Sequence, residues 1–179
     1  MNDFLIQCIG YVAVVAYIIS FQIKSNRALF FFQTIGSALF VLQFFLMDAM
    51  TGSLNLLIGL SRNLMLVKYN QWAWVRKGFW KWVYTAALTA VLIFSWGGPL
   101  SLLPFIGSVA STFSFYTNNA RTIRVTGLLC VSPCWLVYDM AVGSWGGVIT
   151  ETISLASVIV SILRFGWKAL GDDPEFANK

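Results

Sequence analysis

Polar interruptions cut this chain into about seven apolar stretches, and that division limits its fold more than any motif does. The stretches run near Phe4 to Ile23, Ala28 to Met47, Ser53 to Val67, Trp82 to Ser95, Leu102 to Tyr116, Val125 to Val142 and Val148 to Phe165. A hydrocarbon core about 30 Å thick takes about 20 helical residues, so each stretch reads as a spanning helix, some extended by their flanks. Charge follows the same division. Eleven of the 12 basic residues lie in or beside alternate connections. Lys24 and Arg27 follow the first helix, and Lys68, Arg76, Lys77 and Lys81 the third. Arg121 and Arg124 follow the fifth, and Arg164, Lys168 and Lys179 the seventh. The connections between, with Asp48, with Gly97 to Pro99 and with Gly143 to Gly147, hold no Lys or Arg. Basic residues in short loops stay cytoplasmic, so the N-terminus is expected outside and the C-terminus inside.

An apolar content of 58%, mean hydropathy of +0.75 and only 11% charged residues exclude an ordinary soluble domain. Seven spans use about 140 residues, leaving no room for a separate soluble domain. The net charge of +5 is spread over several loops, which speaks for orientation and contact with the lipid bilayer and against nucleic acid. The chain has no His, and Cys8, Cys130 and Cys134 form no CxxC pair, so no metal, cofactor or disulfide is expected. No nucleophile and base pair or Gly-rich phosphate loop is present, and an enzyme is not expected. The first helix lacks a basic leader and is expected to be retained.

A shift of 94 residues lays the first three helices over the last three. Val15, Ala16, Ser20, Phe21 and Arg27 then meet Val109, Ala110, Ser114, Phe115 and Arg121, and Gly52 meets Gly146. The expected fold class is an all-α integral membrane protein of seven transmembrane helices. Two parallel three-helix bundles, 1–71 and 98–168, are joined by an interfacial segment and linker helix at 72–97. The tail, 169–179, has nothing to bury and is expected disordered and cytoplasmic. Trp72, Trp74, Trp80 and Trp82 are expected at headgroup level.

Within a bilayer, the informative residues are those that are costly to place there. Arg62 lies about nine residues past Ser53, or about 14 Å into the membrane, where it should face the interior and find a partner. Asn55, Gly59 and Arg62, at i, i+4 and i+7, share one narrow face. Arg62 can be functional, or can be a structural arginine that ties helices together. Glu151, beside Thr150, sits about one turn into the seventh helix, and water or solute could bridge it to Arg62. Asp139 reads as an interfacial carboxylate. Thr150, Ser154, Ser157 and Ser161 form a hydroxyl stripe at i, i+4, i+7 and i+11, a spacing shared by close helix packing and ligand contact. The same holds for Ser108 and Ser111, and for Gln33 and Ser37. Trp135 falls near the centre of the sixth helix, away from the aromatic belts, and its indole N–H needs a partner. Pro133, two residues earlier, removes a backbone donor and is expected to kink the helix as a hinge.

The blocks SFQIKSNRALFFFQTIGSALFVLQFFL, NLLIGLSRN and SPCWLVYD resemble the bacterial inner-membrane family named after YgjV. That family is in turn similar to the SWEET, semiSWEET and PQ-loop superfamily. The resemblance implies a multi-pass protein of the bacterial inner membrane with three, one and three helices. It also implies a small-solute transporter or facilitator working by alternating access. By helix position, Asn55, Arg62, Glu151, Thr150 and Trp135 would supply its substrate site. No Pro-Gln pair is present, the second helix has no Trp, and Arg62 is charged where the sugar carriers use neutral groups. These departures favour a small polar or charged solute over a sugar. A non-transporting scaffold or sensor of the same fold is the alternative, and a homo-oligomer is compatible with either.

Overall fold

The structure, a computed structural model, describes residues 3–22, 26–69 and 71–165. The helices in chain order are α1 (Asp3–Gln22), α2 (Asn26–Leu46), α3 (Met50–Leu66), α4 (Phe79–Phe94), α5 (Leu102–Tyr116), α6 (Ala120–Thr126), α7 (Ser132–Val142) and α8 (Trp145–Phe165). A π-helical turn, Gly127–Val131, fuses α6 and α7 into one rod over 120–142, so the described residues form seven rods. The sixth rod begins earlier than its hydropathy predicts, and α4 begins at Phe79 and not at Trp82. The expected disordered tail lies outside the described residues, as do Lys24, Lys168, Lys179 and Trp167.

Length and apolarity together mark Arg121–Val142, with 22 residues, as membrane-spanning among the described residues. The helices α1, α2 and α8 have 20, 21 and 21 residues and rise about 30 Å each at 1.5 Å per residue. The surface identifies their solvent. Phe4, Val12, Phe45, Leu57, Phe94, Leu129 and Leu163 are exposed, while Ser37, Gln43, Asn55, Arg62, Thr112, Asp139 and Thr150 are buried. Such an inverted distribution suits lipid, where apolar side chains face outward and polar ones must find partners inside.

Packing runs in a closed circuit. α1 packs on α2, α2 on α3, α3 on α5, α5 on the rod 120–142, that rod on α8, and α8 back on α1, while α4 braces α3 and α5. The backbones of α1 and α8 come close together, since a Cβ on Gly146 would stand 2.7 Å from the Gly10 carbonyl carbon. Small residues of this kind let helix backbones touch in a membrane. The central apolar cluster joins Ala13 and Val14 of α1, Phe40 and Phe44 of α2, and Trp135 and Tyr138 of α7.

Polar bonds gather alternate helix termini at one end. Gln7 donates to the Gly143 carbonyl (3.0 Å), Gln43 to Gln7 Oε1 (3.3 Å), and Ser144 to Gln43 Oε1 (3.4 Å). Thr51 donates to the Ser95 carbonyl (2.6 Å), and the Tyr138 hydroxyl accepts from Gly52 N–H (3.0 Å). That last contact caps the first turn of α3, where Ala49 offers no side-chain cap. At the opposite end, Val75 is fully buried beside Leu66, Phe115 and Tyr116. The segment before α4 is therefore anchored to the bundle through Val75. Trp72 stacks on Trp74, and Trp74 meets Trp80 edge-on.

Candidate functional site

The inner face of α3 carries Thr51, Asn55, Arg62 and Asn63, all buried. Arg62 is 6% exposed and reaches α5. Its Nη1 donates to Ser111 Oγ at 2.9 Å, to Thr112 Oγ1 at 2.7 Å and, more weakly, to the Ser108 carbonyl at 3.5 Å. Nε and Nη2 both donate to Asn63 Oδ1, at 3.3 and 3.1 Å. The Phe115 ring lies 4.6 Å from the guanidinium carbon, a cation–π contact. None of these partners is a carboxylate.

The α5 hydroxyls can serve an arginine because their own protons are already used. Ser111 Oγ and Thr112 Oγ1 donate to the Ser108 carbonyl at 2.9 and 2.7 Å, which leaves their lone pairs for Nη1. A guanidinium has five N–H donors. Nε uses its one, Nη1 its two and Nη2 one, so a second Nη2 hydrogen has no protein partner among the described residues. The cradle is a set of neutral dipoles around a cation, with one donor to spare.

The predicted site residues fall into two groups. Asn55 and Arg62 share the α3 face. Asn55 is fully buried, donates to the Thr51 carbonyl at 2.8 Å, and leaves Oδ1 unpartnered. Glu151 and Thr150 lie on α8 and belong to other networks. Ser132 and Asp139 are both close enough to the Glu151 carboxylate to interact with it. Thr150 donates to its own helix at the Gly146 carbonyl, 3.0 Å away. Glu151 is thus not among the groups that hold Arg62.

Trp135 is 7% exposed and belongs to neither group. It stacks on Phe44 at 6.2 Å and meets Tyr138 edge-on at 6.0 Å. Its indole edge rests on Gly107, where a Cβ would come within 3.0 Å of Nε1. Pro133 stands in the first turn of α7 directly after the π turn. The longer turn, with Ser132 N–H bonded to the Gly127 carbonyl, accommodates a residue that cannot donate.

Asp139 is 2% exposed, and its carboxyl occupies the space that a side chain at Gly147 would need. The α8 hydroxyl stripe does not share one environment, since Thr150 is buried and Ser157 exposed. Residues the sequence did not single out include Thr112, Asn63 and Tyr116 around Arg62, and Gln7 and Gln43 at the closed end. Only the Ser108 and Ser111 spacing hinted at the α5 cradle. Among the described residues no group of three or more His, Cys, Asp or Glu could hold a metal.

No solved structure matches the chain. It is 24% identical over 165 residues to the inner membrane protein YgjV of Escherichia coli strain K12, covering 92% of this chain and 85% of that protein. Residues 4–169 match the family Imp-YgjV, described as bacterial inner membrane proteins. With buried polar groups, a lipid-facing apolar surface and a match over nearly its whole length, the chain belongs to the Imp-YgjV family of bacterial inner membrane proteins.

Proposed function

We propose that this protein carries a small polar or anionic solute across the inner membrane, with Arg62 as the solute-binding cation. The carrying observation is the Arg62 cradle: a buried guanidinium held by neutral acceptors, with one Nη2 hydrogen unused. A buried guanidinium whose partners are all neutral keeps an uncompensated charge, which is costly inside a membrane. An anionic group arriving with the solute would supply the missing charge.

The architecture proposed is two three-helix bundles, α1 to α3 and α5 to α8, joined by α4, with the N-terminus outside. Two contacts support it. Under the 94-residue shift, α1 corresponds to α5 and α3 to α8, so the α3–α5 and α8–α1 contacts are equivalent, as two parallel repeats about a common axis require. The polar bonds among Gln7, Gln43, Ser144 and Gly143 would then close the outer face, with Arg62 in the inner half. Trp135 and Phe44 would separate the two. Pro133 and the π turn would be the hinge.

The alternative is a non-transporting scaffold or sensor, favoured by the Phe44–Trp135 stack across the bundle centre. Arg62→Cys in a background without Cys8, Cys130 and Cys134 separates the readings. Transport predicts labelling by a membrane-impermeant maleimide from the cytoplasmic face. A position unreactive from both faces would remove the transport reading.

A further inference from the structure

Three buried side-chain atoms among the described residues have no hydrogen-bond partner: Asn55 Oδ1, Tyr116 Oη and Asp139 Oδ1. The first belongs to the same helix face as Arg62. Its orientation is determined, since only the amide nitrogen can donate to the Thr51 carbonyl. Oδ1 is therefore an acceptor without a donor, on a side chain with no exposed surface.

Gly59 lies between these residues, four after Asn55 and three before Arg62. A Cβ built on Gly59 would meet Arg62 Nη2 at 3.8 Å and nothing else within 4 Å. The inner face of α3 is thus open at Gly59. Nη2, the nitrogen with the unused hydrogen, borders the opening. Asn55 stands about 6 Å further along the axis at 1.5 Å per residue.

A donor and an acceptor placed in this way ask for a ligand with the complementary pair. A bare carboxylate would satisfy Arg62 and leave Asn55 Oδ1 empty. A ligand with a donor but no anionic oxygen would do the reverse. When the donor sits on the carbon next to a carboxylate, the two polar atoms are roughly 3 Å apart, and with hydrogen bonds of about 2.9 Å at each end such a ligand spans roughly 9 Å, comparable with the rise of about 10 Å along α3 from Asn55 to Arg62. The geometry points to a small carboxylate bearing a hydroxyl or amino donor on its α carbon. It sits over Gly59 with its carboxylate on Arg62 Nη2 and its donor on Asn55 Oδ1. This assignment rests on Arg62 being the solute-binding group.

The test is a set of thermal-stabilisation titrations of the full chain in lipid nanodiscs at fixed ionic strength, using glycine, lactate, acetate and ethylamine. Glycine and lactate are expected to act at concentrations about tenfold below acetate, and ethylamine to have no effect. Asn55→Leu should raise the glycine and lactate midpoints to that of acetate and leave acetate unchanged. Equal midpoints for acetate, glycine and lactate in the unmodified protein would overturn the ligand class and leave the anion reading standing. If none of the four shifts the transition, the ligand class and Arg62 as solute-binding group fall together.

Discussion

The two ends of this bundle bury similar polar side chains and use them differently. At the end holding the start of α1 and the turn between α7 and α8, Gln7, Gln43, Thr51, Tyr138 and Ser144 bond to one another or to backbone across helix boundaries. Gly10 and Gly146 there bring the backbones of α1 and α8 into contact. Among the described residues, the half holding Arg62 leaves Asn55 Oδ1 and Tyr116 Oη unpartnered and Gly59 facing space, while the other end leaves Asp139 Oδ1 unpartnered beside a filled Gly147. Polar burial in a membrane helix therefore has two meanings. Paired groups fasten helices together, and unpaired ones beside an open glycine are available to a ligand.

The contrast is broken most severely by Gly146→Leu. Any Cβ there collides with Gly10 backbone at 2.7 Å, and backbone cannot rotate away as a side chain can. The expected outcome is loss of folded, monodisperse protein on size-exclusion chromatography; a folded variant with an unchanged melting temperature would refute the close α1–α8 contact. Next comes Trp135→Ala, which empties the stack on Phe44 and the seat on Gly107. A buried aromatic truncated in this way costs about 3–5 kcal/mol, readable as a fall in denaturant midpoint.

Tyr138→Phe is smaller. It removes the acceptor for Gly52 N–H, and an orphaned donor costs 1–3 kcal/mol, but interhelical hydrogen bonds in membranes average about 0.6 kcal/mol. About 1 kcal/mol is expected. Arg62→Ala should cost no more, because Ser111 and Thr112 keep their bonds to the Ser108 carbonyl when the guanidinium leaves. The same variant should lose solute-induced stabilisation altogether. A large stability loss without a change in binding would mark Arg62 as a fastener like Gln43.

The single-residue costs were legible in the sequence. An arginine about 14 Å into a span and a tryptophan away from both belts announce burial whatever their neighbours are. What pairs with them was not, because it depends on which helices touch. Glu151 is a residue that water or solute could bridge to Arg62 as the sequence reads, yet it lies on α8 while the guanidinium is held by α5. Ser108 and Ser111 showed only a packing spacing, since a hydroxyl that bonds its own helix and one that also accepts from a neighbour read alike. The burial of Asp139 was not legible either, since the room that Gly147 leaves for its carboxyl comes from across a turn. Helix ends were displaced for local reasons too, as Asn119 accepts from Thr122 N–H and so caps the sixth rod at Ala120.

Gly59→Ala is expected to move stability least and so separates the two ends most sharply. Alanine in a helix interior is favoured over glycine by about 0.5–1 kcal/mol, and its methyl would make an ordinary contact with Arg62 Nη2 at 3.8 Å. The melting temperature should hold or rise slightly. The methyl would nevertheless occupy the space beside the one unused guanidinium hydrogen, so a solute bound there must give way, and its midpoint should rise. Gly146→Ala places the same methyl against backbone and should lower stability instead. Opposite signs for one substitution at two glycines would distinguish a helix contact from a vacant site, and equal losses at both would mean that the Gly59 face is packed shut.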